Sequence, residues 1–419
     1  MKFAADLHIH SHYSRATSAM MNIESLDSWA RVKGIQVIGT GDFTHPKWFS
    51  ELRQNLESAE PGLFKSKNNS ANGTRFLLSA EISCIYSKNG STRKIHIVVL
   101  APSFEVAQKI NIQLGWIGNL SADGRPILGL DAKELAKIIL DISTDCLVIP
   151  AHAMTPWFGI FGSKSGFNSL EECFEELTPQ IFAIETGLSA DPPMLWRIPD
   201  GQRLTLISNS DAHSPQKIGR EVNVFDTELS YPAIADAIKN KDPEKFLYTI
   251  EFFPEEGKYH WDGHRLCNIS LPPSESQKNN NLCPVCGNPL TIGVLNRIQE
   301  LAVQPDGFCP AGAIPFKRLV PLQEIIADSL GVMVGAKQVG IEYNNLIKAF
   351  GSEFSVLLGP SLSDLENVTQ LRIAQGIINM RQGKVSAIAG YDGVYGKIKV
   401  FSEDNHQTPT TAVQQKKLF

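Results

Sequence analysis

The protein has 419 residues, of which 42% are hydrophobic and 20% charged, and its formal net charge is −5. This length excludes a single small domain and suits one large domain with one or two smaller ones. The overall charge is not that of a strongly basic nucleic-acid-binding protein. No signal peptide is recognisable and no apolar run approaches the ~18–20 residues that cross a bilayer, so we expect a cytoplasmic protein with no membrane partner.

Apolar runs alternate with amphipathic segments over the first 250 residues or so. The runs are FAADLHI, IQVIGTGD, RFLLSAEIS, KIHIVVLAP, DCLVIPAH, IFAIETG, RLTLISNSD and KFLYTIEF, and helical patterns such as DAKELAKIILD lie between several of them. Alternation of strands and helices predicts a parallel α/β arrangement, here a barrel of the TIM type or a distorted relative. The pattern turns helical after about residue 315, and we expect the tail 406–419 to be disordered.

Ionisable side chains lie at or near the ends of most of these predicted strands. They are His8, His10, Asp42, Glu81, His152, Glu185, Asp211 and His213, while His96 lies inside its strand. In an α/β barrel the active site is built from the C-terminal ends of the strands. The recurrence therefore predicts one convergent site at one mouth of the barrel.

The spacing of the first two histidines indicates a metal site. His8 and His10 lie on one face of a strand, because strand side chains repeat every second residue. Two imidazoles joined by carboxylates suit zinc, manganese or iron. Taken alone, the pair is equally compatible with two surface histidines, but the further ligand types at other strand ends favour a metal site.

The segments DLHIHSHYS, GTGDFTHP, SAEIS, KIHIVVLAP, PAHAMTPW and SNSDAHS resemble, in order, the motifs of PHP-domain metallohydrolases. This resemblance covers about residues 1–255 and implies a distorted (βα)7 barrel that hydrolyses phosphoesters with two or three divalent metal ions. It implies a first ion on His8, His10, Glu81 and Asp211, which we place at the catalytic centre. A second ion would use Glu81, His96 and His152.

The resemblance leaves the third ion least defined. His213 would hold it together with either Asp42 or His45, because the second motif reads GDFTH where many members read Thr-Asp-His. Arg15 or Ala16 also stands where a further His or Asp often follows the first motif. We expect zinc in the barrel, with magnesium or manganese as alternatives, and hydroxide formed from water on the metal as the attacking group. Arg15 and Arg220 are candidate phosphate partners, and Glu185 a residue that orients a ligand.

A second cluster of metal-ligand residues follows the barrel. Cys283 and Cys286 form a Cys-x2-Cys turn, and His264 and Cys267 precede them, which predicts one closed structural zinc site. Cys309 and His260 are rival ligands. A redox role for the Cys-x2-Cys pair is less favoured, because Asn, Pro and Thr follow it rather than a helix.

The combined pattern resembles the endonuclease Q family. The segments YHWDGHRLC, CPVCGNPLTIGVLNRIQELA, AIPFKRLVPLQEII and GYDGVYGKI carry this resemblance, which runs from Met1 to about Val400. It implies a DNA repair endonuclease that nicks on the 5′ side of uracil, hypoxanthine, xanthine and abasic sites. The alternative is a phosphomonoesterase acting on a small phosphorylated metabolite.

These patterns together predict four segments. They are a PHP barrel over 1–255, a zinc-binding module over 256–315, a mainly helical domain over 316–405 and the tail 406–419. We expect a monomer whose partners are damaged DNA and, beyond it, replication or repair proteins. Trp48, Trp116, Trp157 and Phe158 are candidates for stacking on a base, with the protein core as their alternative location.

Overall fold

The computed structural model of the protein describes residues 1–68 and 73–401. The predicted tail 406–419 lies outside the described residues. Strands occupy β1 (Lys2–Asp6), β2 (Val37–Gly39), β3 (Leu56–Ser58), β4 (Phe64–Ser66), β5 (Arg75–Lys88), β6 (Ser91–Ala101), β7 (Ile127–Leu128), β8 (Leu147–Pro150), β9 (Ala183–Glu185), β10 (Thr205–Ile207), β11 (Val222–Asp226), β12 (Phe246–Glu251), β13 (Asp262–His264), β14 (Ile269–Leu271), β15 (Phe316–Arg318), β16 (Ser386–Ile388) and β17 (Lys397–Lys399).

Helices connect these strands and make up most of the C-terminal part. They are α1 (Ile23–Lys33), α2 (Pro46–Asn55), α3 (Phe104–Gly115), α4 (Ala132–Ile142), α5 (Leu170–Phe174), α6 (Pro192–Leu195), α7 (Pro199–Arg203), α8 (Tyr231–Lys239), α9 (Pro273–Lys278), α10 (Val294–Leu301), α11 (Leu322–Leu330), α12 (Lys337–Phe350), α13 (Glu353–Leu358), α14 (Leu362–Glu366) and α15 (Leu371–Arg381). Short 3-10 helices lie at Glu175–Gln180, Pro215–Lys217, Pro254–Glu256 and Arg265–Cys267. The predicted fold class, mixed α/β followed by a helical C-terminal region, is confirmed.

Seven of the eight predicted strands follow one another around a ring in the order β1, β2, β5, β6, β8, β9, β10. Backbone pairing joins β1 to β2, β2 to β5, β5 to β6, β6 to β8 and β9 to β10. The amide of Ala153 donates to the carbonyl of Glu185 at 2.9 Å, and the amide of Asp211 to that of His8 at 2.9 Å. These two bonds link β8 to β9 and β10 to β1, so the path is consistent with the expected distorted barrel.

Strand β6 departs from the parallel arrangement that the alternation of strands and helices predicts. It runs antiparallel to both β5 and β8. The β5–β6 connection is a tight turn at Asn89 and Gly90, both with positive φ (55° and 72°). Asn-Gly is the preferred pair for this turn, because both positions need a left-handed backbone. The hairpin places Glu81 opposite Val98 and Ser83 opposite His96, which brings two predicted metal ligands side by side.

An apolar cluster fills the ring next to the predicted site. Residues of α8 and other segments belong to this cluster, and its members from the ring strands or their ends are Phe3, Ala5, Leu7, Val37, Leu77, Val98, Leu100, Leu147, Ile149, Ala183 and Ile207. Because side chains alternate along a strand, Glu81 shares a face with Leu77, and His96 shares one with Val98. Glu81 and His96 therefore point into the same interior as the apolar cluster, nearer the end of the ring where the active site of a barrel lies.

Strands outside the ring extend the sheet beyond β1. β11 pairs with β1, β12 with β11, and β15 in parallel with β12. The last predicted apolar run forms β12, and β15 adds residues from the start of the predicted helical domain to this sheet. The boundaries 1–255, 256–315 and 316–405 stay predictions. Within the described residues, no helix is long and apolar enough to cross a membrane.

A buried ion pair joins α1 to the C-terminal helices. Lys33, at the end of α1, places its Nζ 2.6 Å from Glu353 Oε2, and both side chains are 4% exposed. Glu353 also accepts hydrogen bonds from the amide of Leu322 (3.1 Å) and the hydroxyl of Tyr343 (2.7 Å). One carboxylate thus holds α11, α12 and α1 together.

Replacing Glu353 with alanine tests this junction. The change leaves the ammonium group of Lys33 buried without its carboxylate, and we expect unfolding to become easier by about 3 kcal/mol. The matched control is Glu275→Ala, because Glu275 pairs with Lys278 at 2.8 Å on the surface. An exposed pair contributes at most about 1 kcal/mol. Thermal unfolding of both variants measures the difference, and equal effects would contradict a buried, stabilising junction.

Candidate metal centre and cleft

The first two histidines, His8 and His10, lie just after β1 and are buried. Ile9 between them is fully buried and bridges to Ala212, and the amide of His10 donates to the carbonyl of Ala212 at 3.0 Å. His8 and His10 therefore face the same side, as the His-x-His spacing predicts. Their side chains are 1% and 0% exposed.

The first group of ligand atoms comprises His8, His10, Glu81 and Asp211, all within 4.8 Å of one another. His10 Nε2 lies 2.9 Å from Asp211 Oδ1 and 3.3 Å from Glu81 Oε2. His8 Nε2 lies 3.6 Å from the same glutamate oxygen and 3.8 Å from the aspartate oxygen. The residues implied for the first metal ion are thus brought together.

The second group uses the other oxygen of the same glutamate. Glu81 Oε1 lies 2.6 Å from His96 Nδ1 and 3.1 Å from His152 Nε2, and these atoms also fall within 4.8 Å of one another. Glu81 therefore belongs to both groups, in the bridging position that the family resemblance implies.

The donor set fits a divalent metal ion. His8 Nε2 is buried and has no hydrogen-bond partner among the described residues. The opposite nitrogen, Nδ1, lies 3.0 Å from Glu185 Oε1, so the unpartnered nitrogen faces the other three ligands. Metal-bound histidines characteristically bind a carboxylate through their second nitrogen in this way. Imidazole and carboxylate ligands suit zinc or manganese better than an all-oxygen site would.

The electrostatics of the centre favour an ionised carboxylate core. Burial opposes ionisation of Glu81, but His96, Arg125 and His8 outweigh it and hold its pKa well below the usual range. Burial likewise opposes ionisation of Asp211, whose pKa is nevertheless lowered by His10 and His8. Burial lowers the pKa of His96 to about 4. Metal binding requires neutral imidazoles beside ionised carboxylates.

Three residues of the site adopt left-handed backbone conformations. Asp42, His152 and Asp211 have φ values of 50°, 32° and 47°. Residues other than glycine rarely adopt such values, and they concentrate at functional sites where the surrounding structure holds them.

The residues predicted for a third ion lie around the cluster rather than in it. Asp42 Oδ1 lies 3.1 Å from His10 Nδ1, and its Oδ2 accepts bonds from the amide and hydroxyl of Ser11 and the hydroxyl of Ser14. His45 precedes α2 and stacks on Tyr13 at 4.3 Å. Within residues 1–68 and 73–401, neither they nor His213 joins a group of three ligand atoms.

The predicted supporting residues differ in their positions. Glu185 contacts His8 and accepts a hydrogen bond from the amide of His152 at 2.8 Å, so it orients two candidate ligands. Arg220 lines the cleft described below and donates to the carbonyl of Ser210 at 2.9 Å. Arg15 is 76% exposed and pairs with Asp123 at 3.2 Å.

Arg125 was not identified from the sequence. It follows α3 in a loop with no metal-ligand motif, yet its Nη1 lies 2.9 Å from Glu81 Oε2. Only the folded chain brings it to the centre, since 44 residues separate it from Glu81. It adds a fixed positive charge beside the bridging carboxylate.

A cleft of about 910 Å³ opens at the centre. His96, His152 and Asp211 line it together with four cationic residues, Arg125, Lys217, Arg220 and Lys258. Aromatic side chains also contribute: Trp157, Phe158, Tyr259 and Tyr395. Of the predicted stacking residues, Trp157 and Phe158 thus face the cleft, Trp48 is buried in the core, and Trp116 is 80% exposed on another surface.

The second cluster of metal-ligand residues comes together as His264, Cys267, Cys283 and Cys286, again within 4.8 Å of one another. Gly287, with φ of 73°, turns the chain so that its amide donates to the carbonyl of Cys283 at 2.8 Å. Cys309 is exposed, and His260 is buried with its Nδ1 3.3 Å from the carbonyl of Ser189. One histidine and three cysteines form a closed set typical of structural zinc.

Known protein sequences resemble this chain over part or nearly all of its length. The family described as the MJ0043 C-terminal domain matches residues 321–384. YqxK of Bacillus subtilis is 30% identical over 411 residues, covering 95% of this chain and 99% of YqxK. The protein MJ0043 of Methanocaldococcus jannaschii is 32% identical over 258 residues, which are 59% of this chain but only 31% of MJ0043.

Two crystal structures share the fold. The lesion-specific endonuclease PfuEndoQ from Pyrococcus furiosus is 31% identical with a TM-score of 0.84, covering 95% of both chains. Endonuclease Q in complex with a 27-mer duplex that has an abasic lesion at the active site is 31% identical with a TM-score of 0.85, covering 95% of this chain and 96% of that one. With this identity and coverage, the chain belongs to the endonuclease Q family.

Proposed function

We propose that the protein is a metal-dependent DNA repair endonuclease. It nicks the phosphodiester on the 5′ side of deaminated bases (uracil, hypoxanthine and xanthine) and of abasic sites. Family membership supports this proposal, as does the abasic duplex bound at the active site of a family member. The observation that carries it is the pair of ligand groups sharing Glu81, placed at a wide cleft with cationic walls.

The cleft suits a polymeric anion. Four cationic side chains, Arg125, Lys217, Arg220 and Lys258, line it. Phosphate contacts of this kind position a nucleic acid without reading its sequence. These four residues place positively charged groups at the cleft despite the net charge of −5.

Several residues would support the metal ligands and bind the substrate phosphate. When bound, divalent metal ions lower the pKa of water toward neutrality and offset the charge that develops on a phosphodiester. Glu185 and Asp42 hold the rings of His8 and His10 through their Nδ1 atoms, which leaves each Nε2 directed at the centre. Arg125 is placed to bind a phosphate oxygen while it neutralises Glu81.

Reading a damaged base requires extracting it from the stack. The cost is a few kcal/mol, and it is smallest where the base is mispaired or missing. Trp157 and Phe158 are placed to contact an extruded nucleotide, since both line the cleft and the ring of Phe158 stacks on His96 at 4.2 Å.

The proposed cofactors follow from the ligand sets. The barrel groups would hold two ions, with zinc expected and magnesium or manganese as alternatives, and the His/Cys set would hold one structural zinc. A third barrel ion, the monomeric state, the cytoplasmic location and partners among replication or repair proteins stay predictions.

A nicking assay tests the proposal. With an end-labelled duplex carrying one uracil or one abasic site, we expect a single cut on the 5′ side that requires divalent metal. Asp211→Ala removes one ligand of the first group, and we expect the rate to fall by more than about 100-fold. Asp236→Ala, an exposed aspartate on α8, is the matched control and should cut at the wild-type rate.

The undamaged duplex and a generic phosphomonoester complete the assay. Metal-dependent release of phosphate from the monoester, with no cut at the lesion, would contradict the endonuclease proposal. It would support the alternative of a phosphomonoesterase for small metabolites.

The structural zinc gives a separate prediction. Cys286→Ala removes one of four ligands, and we expect metal analysis of the purified protein to find one zinc fewer per chain together with a lower unfolding temperature. Cys309→Ala is the control, because Cys309 is an exposed cysteine outside the set. Loss of zinc in Cys309→Ala, or its retention in Cys286→Ala, would assign the fourth ligand differently.

A further inference from the structure

The segment Gly390–Gly396, GYDGVYG, contributes no residue to the two barrel ligand groups or to the His/Cys set. It connects β16 to β17, and the amides of Tyr391 and Val394 donate to each other's carbonyls at 3.0 and 2.7 Å. Asp392 and Gly393 form the tip with φ values of 42° and 87°. The segment is therefore a tight, internally bonded turn.

This turn is fixed against the chain that leaves the barrel. The amide of Gly390 donates to the carbonyl of Glu255 at 2.7 Å, and that of Gly396 to the carbonyl of Glu256 at 2.9 Å. A Cβ atom at either glycine would collide with carbonyl oxygens of that same stretch, 255–257. The turn and residues 255–257 thus form one packed unit.

Asp392 ties the turn to the His/Cys set as well. Its Oδ2 accepts a hydrogen bond from the amide of Arg265 at 2.7 Å, directly after His264. Its Oδ1 accepts one from the hydroxyl of Thr291 at 2.8 Å. The carboxylate therefore joins the turn to two separate points of the cysteine-containing region.

The side chains held in this way face the cleft. Tyr395 is 49% exposed, and both it and Lys258 line the cleft with His152 and Asp211. Lys258 Nζ lies 4.6 Å from the centroid of the Tyr395 ring, and the carbonyl of Lys258 accepts from the amide of Gly393 at 3.0 Å. An exposed aromatic ring and an ammonium group thus stand in the wall of the cleft, supplied from outside the ring of strands.

We propose that Tyr395 and Lys258 form a binding subsite for the DNA strand beside the scissile phosphodiester, and that Asp392 is its positioning residue. The ring of Tyr395 stacks on a base and the ammonium group of Lys258 meets a phosphate. This inference rests on the proposed endonuclease function and assigns the part of the cleft that binds the DNA strand. Base–aromatic stacking is tolerant of sequence, so the subsite contributes affinity rather than chemistry.

Steady-state kinetics on a duplex with one lesion test this subsite. Tyr395→Ala removes the stacking ring, and we expect KM to rise by about 10-fold or more while kcat stays within about twofold. Tyr395→Phe keeps the ring and should retain the wild-type KM. Tyr248→Ala is the matched control, because Lys317 Nζ lies 4.4 Å from the Tyr248 ring in β12, away from the cleft.

In this proposal Asp392 affects DNA binding only by positioning Tyr395, so a double variant distinguishes this role from a general structural one. We expect Asp392→Ala to raise KM with little change in kcat, and the double variant Asp392→Ala/Tyr395→Ala to be no worse than Tyr395→Ala. Additive effects of the two changes would overturn the positioning role. If Asp392→Ala does not fold, the tyrosine variants still decide the subsite.

The outcomes separate this proposal from the function on which it rests. A wild-type enzyme that nicks the lesion, together with an unchanged KM in Tyr395→Ala or an equal rise in Tyr248→Ala, would overturn the subsite alone. A wild-type enzyme that does not nick the lesion would overturn both the subsite and the endonuclease function.

Discussion

The position of one buried carboxylate, Glu81, determines the rest of the site. One of its oxygens faces His8 and His10 while the other faces His96 and His152, and Arg125 lies against the first. A buried carboxylate is costly unless charged or hydrogen-bonded partners surround it. The β5–β6 hairpin brings His96 to Glu81, and the antiparallel β6–β8 pair brings His152. The link from β10 to β1 joins the segments that carry Asp211 and His8. The ring of strands therefore assembles the centre by bringing distant segments to one charge.

The parts outside the ring complete the cleft rather than the metal centre. The turn at Gly390–Gly396 and the stretch 255–259 stand beside the barrel ligands and add aromatic and cationic walls. Asp392 links this turn to the His/Cys set, so the candidate structural metal site and the wall of the cleft are held by the same turn. The ring of strands thus carries the candidate metal ligands, and the C-terminal region contributes Tyr395 to the wall of the cleft.

Much of the site could be predicted from the sequence, because strand ends carry its ligands in local motifs. Two-residue periodicity predicts that His8 and His10 share a face, the ligand types at other strand ends favour a metal site there, and the spacing of the second cluster predicts the His/Cys set. Asn89–Gly90 is a clear hairpin signal that the alternation of strands and helices obscured, which is why β6 was expected to be parallel. Arg125, Asp392 and Tyr395 depend on contacts across long stretches of chain, for which no local pattern exists. The second motif contains both Asp42 and His45, and the structure places Asp42 against His10 and His45 at the start of α2.

Anomalous scattering at the metal absorption edge, from crystals grown with the retained ion, would show whether metal ions bind on both sides of Glu81. The sharing of Glu81 by both ligand groups predicts two ions, one held by His8, His10, Glu81 and Asp211 and the other by Glu81, His96 and His152. It also predicts that crystals of Glu81→Ala lose the bridged pair while keeping the ion held by His264 and the three cysteines. Two barrel ions without contact to Glu81, or an intact pair in Glu81→Ala, would contradict the account.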